Sequence, residues 1–191
     1  GGILDLGGVN FQTFASISST DAGGSRILLG AAALTVGDSN STSFDGAISG
    51  LGSLVKIGSG TLTLTGNNTY SGATAINAGS LTLSGTVTST SGVTIASGAS
   101  ITIDGGTLAT SGNIVNNGTL VLTGAAQLSA GGTITNNGTI INSAPSYTLP
   151  ANLVNNGALY NLPAIPVGLT ATAGNAQVSL SWSAVAGASS Y

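Results

Sequence analysis

The sequence predicts an all-β fold, a right-handed parallel β-helix with three short strands and about nineteen or twenty residues in each rung. A motif of glycine followed by alternating aliphatics recurs, and two further columns of apolar residues share its period. Successive motif glycines lie nineteen or twenty positions apart, at Gly60, Gly79, Gly98, Gly118, Gly138 and Gly157. A period shared by all three columns indicates stacked coils, and parallel crossovers favour the right-handed winding.

Two columns complete the predicted rung. The stronger one comprises Ile57, Ile76, Ile95, Ile114, Ile134 and Leu153. The weaker one comprises Leu108, Leu128 and Tyr147, with Tyr70 as an earlier equivalent. An antiparallel sandwich is the competing fold, but it would show turn signals every 8–12 residues without a strict longer repeat.

Alternation within each strand predicts which side chains form the core. Leu62 and Leu64 point to one side of their strand, while Thr61 and Thr63 point to the other. Stacked coils would place the aliphatic side chains in one continuous inward file. Its predicted members are Leu62, Leu81, Ile101, Leu120, Ile140 and Leu159.

The corners and the first third of the chain have their own patterns. Asn-Asn-Gly recurs at 116–118, 136–138 and 155–157, which predicts left-handed corner residues and amide hydrogen bonds between stacked asparagines. Residues 1–53 are less regular and predict coils with longer loops. Their candidate strand pairs are Leu4/Leu6, Val9/Phe11, Ile27/Leu29, Leu34/Val36 and Phe44/Ile48.

Composition excludes several function classes. Of its 191 residues only two are basic and five acidic, and there is no Glu, His, Cys or Met. Two cations cannot neutralise a nucleic acid backbone, so we predict no nucleic acid partner. Zinc, haem and iron–sulfur sites lack ligands, and no apolar run is long enough for membrane insertion by this segment.

The charged residues do not predict a catalytic site. The five aspartates are spread between Asp5 and Asp104, and the closest pair, Asp38 and Asp45, lies in loop-like sequence. Enzymes built on β-helices need clustered carboxylates. We therefore predict no catalytic residues, no cofactor-binding residues and no metal ligands, and we interpret Arg26 and Lys56 as solubilising charges.

Outward threonines allow a second hypothesis, because flat Thr-x-Thr arrays on β-helices can order water and bind ice. Thr61-Leu-Thr63 and Thr86-Val-Thr88 fit such an array, but later rungs carry Val121, Ile141 and Tyr160 instead of the second threonine. Asn40, Asn67, Asn117 and Asn137 begin Asn-x-Ser/Thr sequences. We interpret those sequences as corner usage rather than glycosylation sites.

Residues 44–85 resemble the autotransporter-associated β-strand repeat of bacterial surface proteins. The resemblance is carried by Phe44-Asp-Gly-Ala-Ile-Ser-Gly50, by the segment from Leu54 to Gly66, and by the segment from Asn68 to Leu81. It implies a right-handed β-helix displayed outside a Gram-negative-type cell as a stalk or adhesive passenger. The residues that match positions of that motif are structural: Gly60, Gly66, Tyr70, Gly72 and Gly79.

The tail differs from the rest of the chain and divides it into three parts. We predict a β-helix over 1–161, a linker over 162–167, and the truncated start of a fibronectin type III-like domain over 168–191. Val178-Ser-Leu-Ser-Trp182 and the terminal Tyr191 resemble the first strands of that sandwich. Because two strands cannot close a sandwich core, we expect Trp182 to be poorly buried.

Together these observations predict a non-catalytic, extracellular structural or adhesive segment of a bacterial surface or secreted protein. Localisation at the cell surface would depend on parts outside this segment, and host or environmental glycans or proteins would be partners of the parent protein. The alternative is part of a carbohydrate-active β-helix enzyme whose site lies in the loops of 1–53 or outside the segment. Two carboxylates within about 10 Å in one groove would favour that enzyme.

Overall fold

The computed structural model describes residues 1–21, 24–144, 147–162, 169–174 and 177–183, and all regular structure among them is β. The strands before residue 84 are β1 (Ile3–Asp5), β2 (Phe11–Phe14), β3 (Arg26–Leu28), β4 (Ala33–Val36), β5 (Thr42–Phe44), β6 (Ala47–Ser49), β7 (Ser53–Lys56), β8 (Thr61–Leu64), β9 (Asn67–Asn68), β10 (Thr74–Ile76) and β11 (Ser80–Leu83). The later strands are β12 (Thr86–Thr90), β13 (Val93–Ile95), β14 (Ser100–Asp104), β15 (Thr107–Thr110), β16 (Ile114–Asn116), β17 (Thr119–Thr123), β18 (Gln127–Ala130), β19 (Ile134–Asn136), β20 (Thr139–Asn142), β21 (Leu153–Asn155), β22 (Ala158–Asn161), β23 (Thr170–Gly174) and β24 (Gln177–Ser181).

The first 22 strands stack as a parallel β-solenoid of about eight turns with three faces. The second face is β2-β4-β7-β10-β13-β16-β19-β21 and the third is β5-β8-β11-β14-β17-β20-β22. The first face consists of β1-β3-β6 followed by β9-β12-β15-β18. These two sheets join where the amide of Thr69 donates a 2.9 Å hydrogen bond to the carbonyl of Ile48. The predicted β-helix is thus confirmed.

The third face contains the predicted inward file without any register shift. Leu81 pairs with Ile101, and Ile101 pairs with Leu120, so Leu81 and Leu120 lie two rungs apart in one file. All its members except the last are buried. Leu159, in the last rung, is 39% exposed because no described strand covers it. Each fully buried leucine contributes roughly 1.5–3 kcal/mol relative to an exposed one.

The first turn is longer than the later ones, in line with the prediction for residues 1–53. Leu4 pairs with Ile27 and Phe11 pairs with Ala33, steps of 23 and 22 residues, whereas the step of 21 residues from Ile27 to Ile48 recurs between Thr86 and Thr107. Val9 departs from its predicted strand pair, since it precedes β2 and is 44% exposed.

The predicted column on the second face is wrong in register. It combines two inward files, because Ile95 pairs with Asn116 rather than with Ile114, and its first member, Ile57, follows β7 and belongs to neither file, since Ile76 pairs with Lys56. One file contains Gln12, Leu34, Leu54, Thr74, Val93, Ile114, Ile134 and Leu153; the other contains Phe14, Val36, Lys56, Ile76, Ile95, Asn116, Asn136 and Asn155. A shift of two residues keeps every side chain on the same side of its strand, so alternation alone cannot detect it.

The weaker predicted column also needs correction. Leu108 and Leu128 do pair, but Asn68 and not Tyr70 occupies the earlier position, opposite Val87. Tyr147 lies outside the strands, and its hydroxyl bonds the backbone N–H and C=O of Leu128. That hydroxyl satisfies the edge of β18, beside which the described residues place no further strand.

The Asn-Asn-Gly corners need glycine for a reason that differs from the prediction. Gly118, Gly138 and Gly157 do not adopt left-handed φ values. A Cβ built on Gly138 would instead lie 2.1 Å from the backbone oxygen of Gly118 in the preceding rung. Close stacking of backbone on backbone therefore excludes any side chain there.

The described part of the tail forms one antiparallel hairpin, in which β23 pairs with β24. Trp182 follows β24 and is 38% exposed, as expected for a poorly buried residue. Most of the proposed linker, residues 163–167, lies outside the described residues, as does Tyr191. The domain boundaries, the fibronectin resemblance and the handedness stay predictions.

Candidate functional site

Two outward columns run along the third face, and we call the surface they form the hydroxyl face. The central column is Ser43, Thr63, Thr82, Thr102, Val121, Ile141 and Tyr160. The flanking column is Thr61, Ser80, Ser100, Thr119, Thr139 and Ala158. Both columns are continuous because every pairing of this sheet is in register, so their side chains repeat at about 4.8 Å from rung to rung.

Most hydroxyl groups of this face are available to a partner. Within the described residues, the hydroxyls of Thr63, Thr82 and Thr102 make no hydrogen bond. On the first face, by contrast, the hydroxyl of Thr90 donates to the carbonyl of Gly72 at 2.7 Å, and Thr110 donates to Thr90 at 2.8 Å. The third face therefore combines regular spacing with free donors and acceptors.

The hydroxyl face contains no acidic or basic side chain among its two columns. Aspartates lie at its edge, where they are bonded by neutral groups. Asp45 accepts hydrogen bonds from Ser43 at 3.0 Å and from Thr65 at 2.8 Å, and Asp104 accepts one from Thr123 at 2.9 Å. The two columns thus lack cationic groups that would select an anionic ligand.

The chemistry of the central column changes along the solenoid. Hydroxyl residues end at Thr102, and Val121, Ile141 and Tyr160 continue the column, with Tyr160 55% exposed. The second Thr-x-Thr candidate, which begins at Thr86, lies on the first face. The two candidate threonine segments therefore do not form one ice-binding array.

Asp38, one of the two aspartates closest together in the sequence, is not arranged as a general acid. Asp38 accepts hydrogen bonds from the backbone and side chain of Asn40, and these bonds hold its pKa below the usual value. A general acid requires the opposite shift. Among the described residues, no three potential metal-ligating side chains lie together. A cleft of about 440 Å³ at the N-terminal end is lined by apolar residues, serines and Arg26.

Lys56 is the charged side chain whose exposure the sequence analysis predicted wrongly. It is 1% exposed rather than solubilising, whereas Arg26 is exposed as predicted. Its ammonium group donates to the carbonyls of Ile57 at 2.6 Å, Gly58 at 3.0 Å and Ala78 at 3.3 Å. Burial lowers the pKa of Lys56, while the negative charge of Asp38 partly opposes that shift. Its position two residues after the inward Leu54 was the available sequence signal.

The predicted asparagine ladders are present. Inside the solenoid, Asn116 donates to Asn136 at 2.7 Å, and Asn136 donates to Asn155 at 2.6 Å. On the outside, Asn156 donates to Asn137 at 3.0 Å, and Asn137 donates to Asn117 at 2.9 Å. These amides bond one rung to the next, which is a structural role.

Four buried side chains with polar groups lie close together in the chain: Lys56, Asn68, Tyr70 and Thr74. Residues 54–82 match the family described as Passenger-associated-transport-repeat. This transport repeat therefore contains the buried lysine and its polar neighbours, and it overlaps the segment that resembled an autotransporter-associated repeat.

The chain is also similar to the "Adhesin BmaC autotransporter" of Brucella suis biovar 1 (strain 1330). They share 49% identity over 84 residues, which cover 42% of this chain and 2% of that protein. No solved structure gives a significant match. No helix among the described residues is long and apolar enough to cross a membrane.

Proposed function

We propose that this chain is a non-catalytic, extracellular structural and adhesive segment of a bacterial surface or secreted protein. The observation that carries the proposal is the in-register hydroxyl face, in which uncharged side chains with free hydroxyls repeat over successive rungs. The similarity to an adhesin autotransporter and to the transport repeat supports an extracellular location.

The mechanism is geometric. A stack of eight rungs at about 4.8 Å spans roughly 35 Å, and its parallel ladders make it stiff along its axis. The stack holds the hydroxyl face away from its point of attachment and offers hydrogen bonds to host or environmental glycans or proteins. Apolar Val121, Ile141 and Tyr160 extend the same surface. This mechanism requires neither binding to nucleic acid nor insertion of this segment into a bilayer.

Adhesion of beads coated with the purified chain tests this function. The coated beads should bind cultured host cells or immobilised extracellular matrix more strongly than beads coated with an unrelated soluble protein. A triple variant, Thr63→Val, Thr82→Val and Thr102→Val, removes hydroxyls while keeping side-chain shape, and we expect it to reduce binding at least tenfold.

A matched control places the same change on the second face. Thr94 and Thr135 lie in an outward column there and pair with Val115 on either side of it. The double variant Thr94→Val and Thr135→Val should bind like the original chain. Equal binding by beads that carry the chain and beads that carry the unrelated protein would overturn the adhesive role. Equal loss in both variants would exclude the hydroxyl face as the contact surface.

No observation favours the carbohydrate-active enzyme. Its site would need paired carboxylates, and Asp38 and Asp45 bond to separate sets of neutral neighbours.

A further inference from the structure

The aliphatic core alone does not determine which rung lies beside which. On the third face, Leu62, Leu81, Ile101 and Leu120 occupy one file. A displacement by a whole rung would replace each of them by a residue of nearly the same size and polarity. The backbone hydrogen bonds between strands do not favour one alignment of the rungs either, because every rung offers the same N–H and C=O groups. Something else must distinguish the correct stacking from a displaced one.

Asn68 is specific to its rung because its amide joins the rungs on both sides. Its Oδ1 accepts a 3.0 Å hydrogen bond from the N–H of Ile48, where the two sheets of the first face meet. Its Nδ2 donates at 3.0 Å to the carbonyl of Thr86 in the next rung. Beside an unbroken ladder, the same amide would lose both of these bonds and keep only its 3.0 Å bond to the carbonyl of Gly66.

Tyr70 depends on a partner that other rungs lack. It is fully buried, and its hydroxyl lies 2.8 Å from that of Thr74, which lies 3.2 Å from the hydroxyl of Thr90. Thr74 alone carries a hydroxyl in its file, whose other described members are Gln12, Leu34, Leu54, Val93, Ile114, Ile134 and Leu153. Tyr70 and Thr74 lie in one rung and would move together, but a displacement would place Thr90 of the next rung beside an aliphatic member of this file, without the Thr74 hydroxyl.

Lys56 adds a buried charge, which three backbone carbonyls hold at one corner. Its ammonium group bonds carbonyls in its own rung and the carbonyl of Ala78 in the next. Asn116 and Asn136 occupy the same file further along, and their amides bond the corner carbonyls of Thr139 and Ala158. Because asparagine recurs at this position in successive rungs, a displacement by one rung would still place one asparagine beside another. These asparagines therefore do not distinguish the two alignments as Lys56 does.

We propose that Lys56, Asn68, Tyr70, Thr74 and Thr90 form a register clamp that fixes the alignment of successive rungs in the solenoid. Burial of aliphatic side chains drives the chain to form a solenoid. The clamp stabilises one alignment of the rungs over other alignments whose aliphatic cores would be nearly the same. Buried polar groups impose this kind of specificity because each alternative leaves one of them unpaired. Four of the five residues lie in the transport repeat.

Distance measurement between two spin labels tests the clamp in the whole chain. The sequence has no cysteine, so Ser43→Cys and Val121→Cys introduce two unique labelling sites in the central outward column. Four rung steps separate these positions, which corresponds to about 19 Å at ~4.8 Å per step. Omission of one rung between them would shorten the distance by about 5 Å.

The clamp variant removes the polar groups of four clamp residues and keeps their side chains apolar: Lys56→Ile, Asn68→Val, Tyr70→Phe and Thr74→Val. We expect the original chain to give one distance and this variant to give an additional population about 5 Å shorter. A folded variant with the single original distance would overturn the proposal, whether or not its stability had changed. That result would mean that the clamp residues fill space without selecting a register.

Four outward substitutions provide the matched control: Thr94→Val, Thr107→Val, Thr119→Val and Thr135→Val. They add comparable apolar character without touching the clamp, and the single distance should persist. A second population in this control as well would also overturn the proposal. If circular dichroism shows that the fourfold clamp variant does not fold, the spin-label distance is measured in the double variant Tyr70→Phe and Thr74→Val. A second, shorter distance supports the proposal, and the single original distance overturns it.

Discussion

The Nδ2 atom of Asn116 donates a 2.7 Å hydrogen bond to the Oδ1 atom of Asn136, which lies at the same register position one rung later. Both side chains are fully buried. Each amide also bonds a corner carbonyl, so these residues replace backbone partners that the bend of the chain removes. Contacts of this kind between rungs have measurable consequences.

Replacement of the middle asparagine should lower the free energy of unfolding more in the inner ladder, at Asn136, than in the outer ladder, at Asn137. Asn136→Leu removes the bonds to Asn155 and to the carbonyl of Ala158. We expect a loss of about 1–3 kcal/mol in the free energy of unfolding, because a buried partner is left unpaired. The exposed Asn137→Leu should change it by about 0.5 kcal/mol or less. Urea denaturation measures both, and equal losses would contradict the structural role of the inner ladder.

Lys56 should make stability depend on alkaline pH. Its pKa in the folded chain lies below the usual 10.5, chiefly because of burial. Between the two values the unfolded chain binds more protons, so the free energy of unfolding should increase as pH rises through this window. Lys56→Met should lack that increase. Denaturation curves of both proteins at a series of pH values from neutral up to the usual pKa of 10.5 give the comparison; parallel curves would argue against a buried ammonium group.

A methyl group at the third-face corner should not be tolerated. Gly138→Ala would place Cβ 2.1 Å from the oxygen of Gly118, so the stacked backbones would have to separate. We expect a loss of about 1–3 kcal/mol or more from the free energy of unfolding. Gly2→Ala is the control, because its Cβ would meet no atom within 4 Å. If thermal melts of the two variants coincide, the close approach at Gly138 is not present in solution.

The hydroxyl of Tyr147 should stabilise the edge of β18. Tyr147→Phe leaves the N–H and C=O of Leu128 without that partner, at an expected cost of about 1–3 kcal/mol. Hydrogen exchange at the Leu128 amide should accelerate in the same variant. Tyr160→Phe alters an exposed tyrosine and should affect neither quantity. Unchanged protection of Leu128 would show that another group satisfies this edge.

The sequence predicted the inward file from Leu62 to Leu159 correctly because two signals agreed there. Alternation assigned the inward side of each strand, and the recurring glycine fixed where each strand began. On the second face only alternation was available. The predicted column therefore joined Ile76 and Ile95 of one file to Ile114, Ile134 and Leu153 of the other, since Ile95 lies opposite Asn116, and its first member, Ile57, belongs to neither file.

The candidate surface was partly predictable. Outward threonines and their replacement by Val121, Ile141 and Tyr160 are visible in the sequence. That the hydroxyls of Thr63 and Thr82 remain free, while that of Thr90 is bonded inside, depends on which rung lies beside each.

By itself, then, the sequence determined a regular rung period, an aliphatic interior and an almost uncharged exterior, because each follows from residues close together in the chain. Tertiary structure decided which carbonyls hold the ammonium group of Lys56 and that Thr74 bonds both Tyr70 and Thr90. Those outcomes depend on corner geometry and on partners from adjacent rungs. A strand's own alternation carries no information about either.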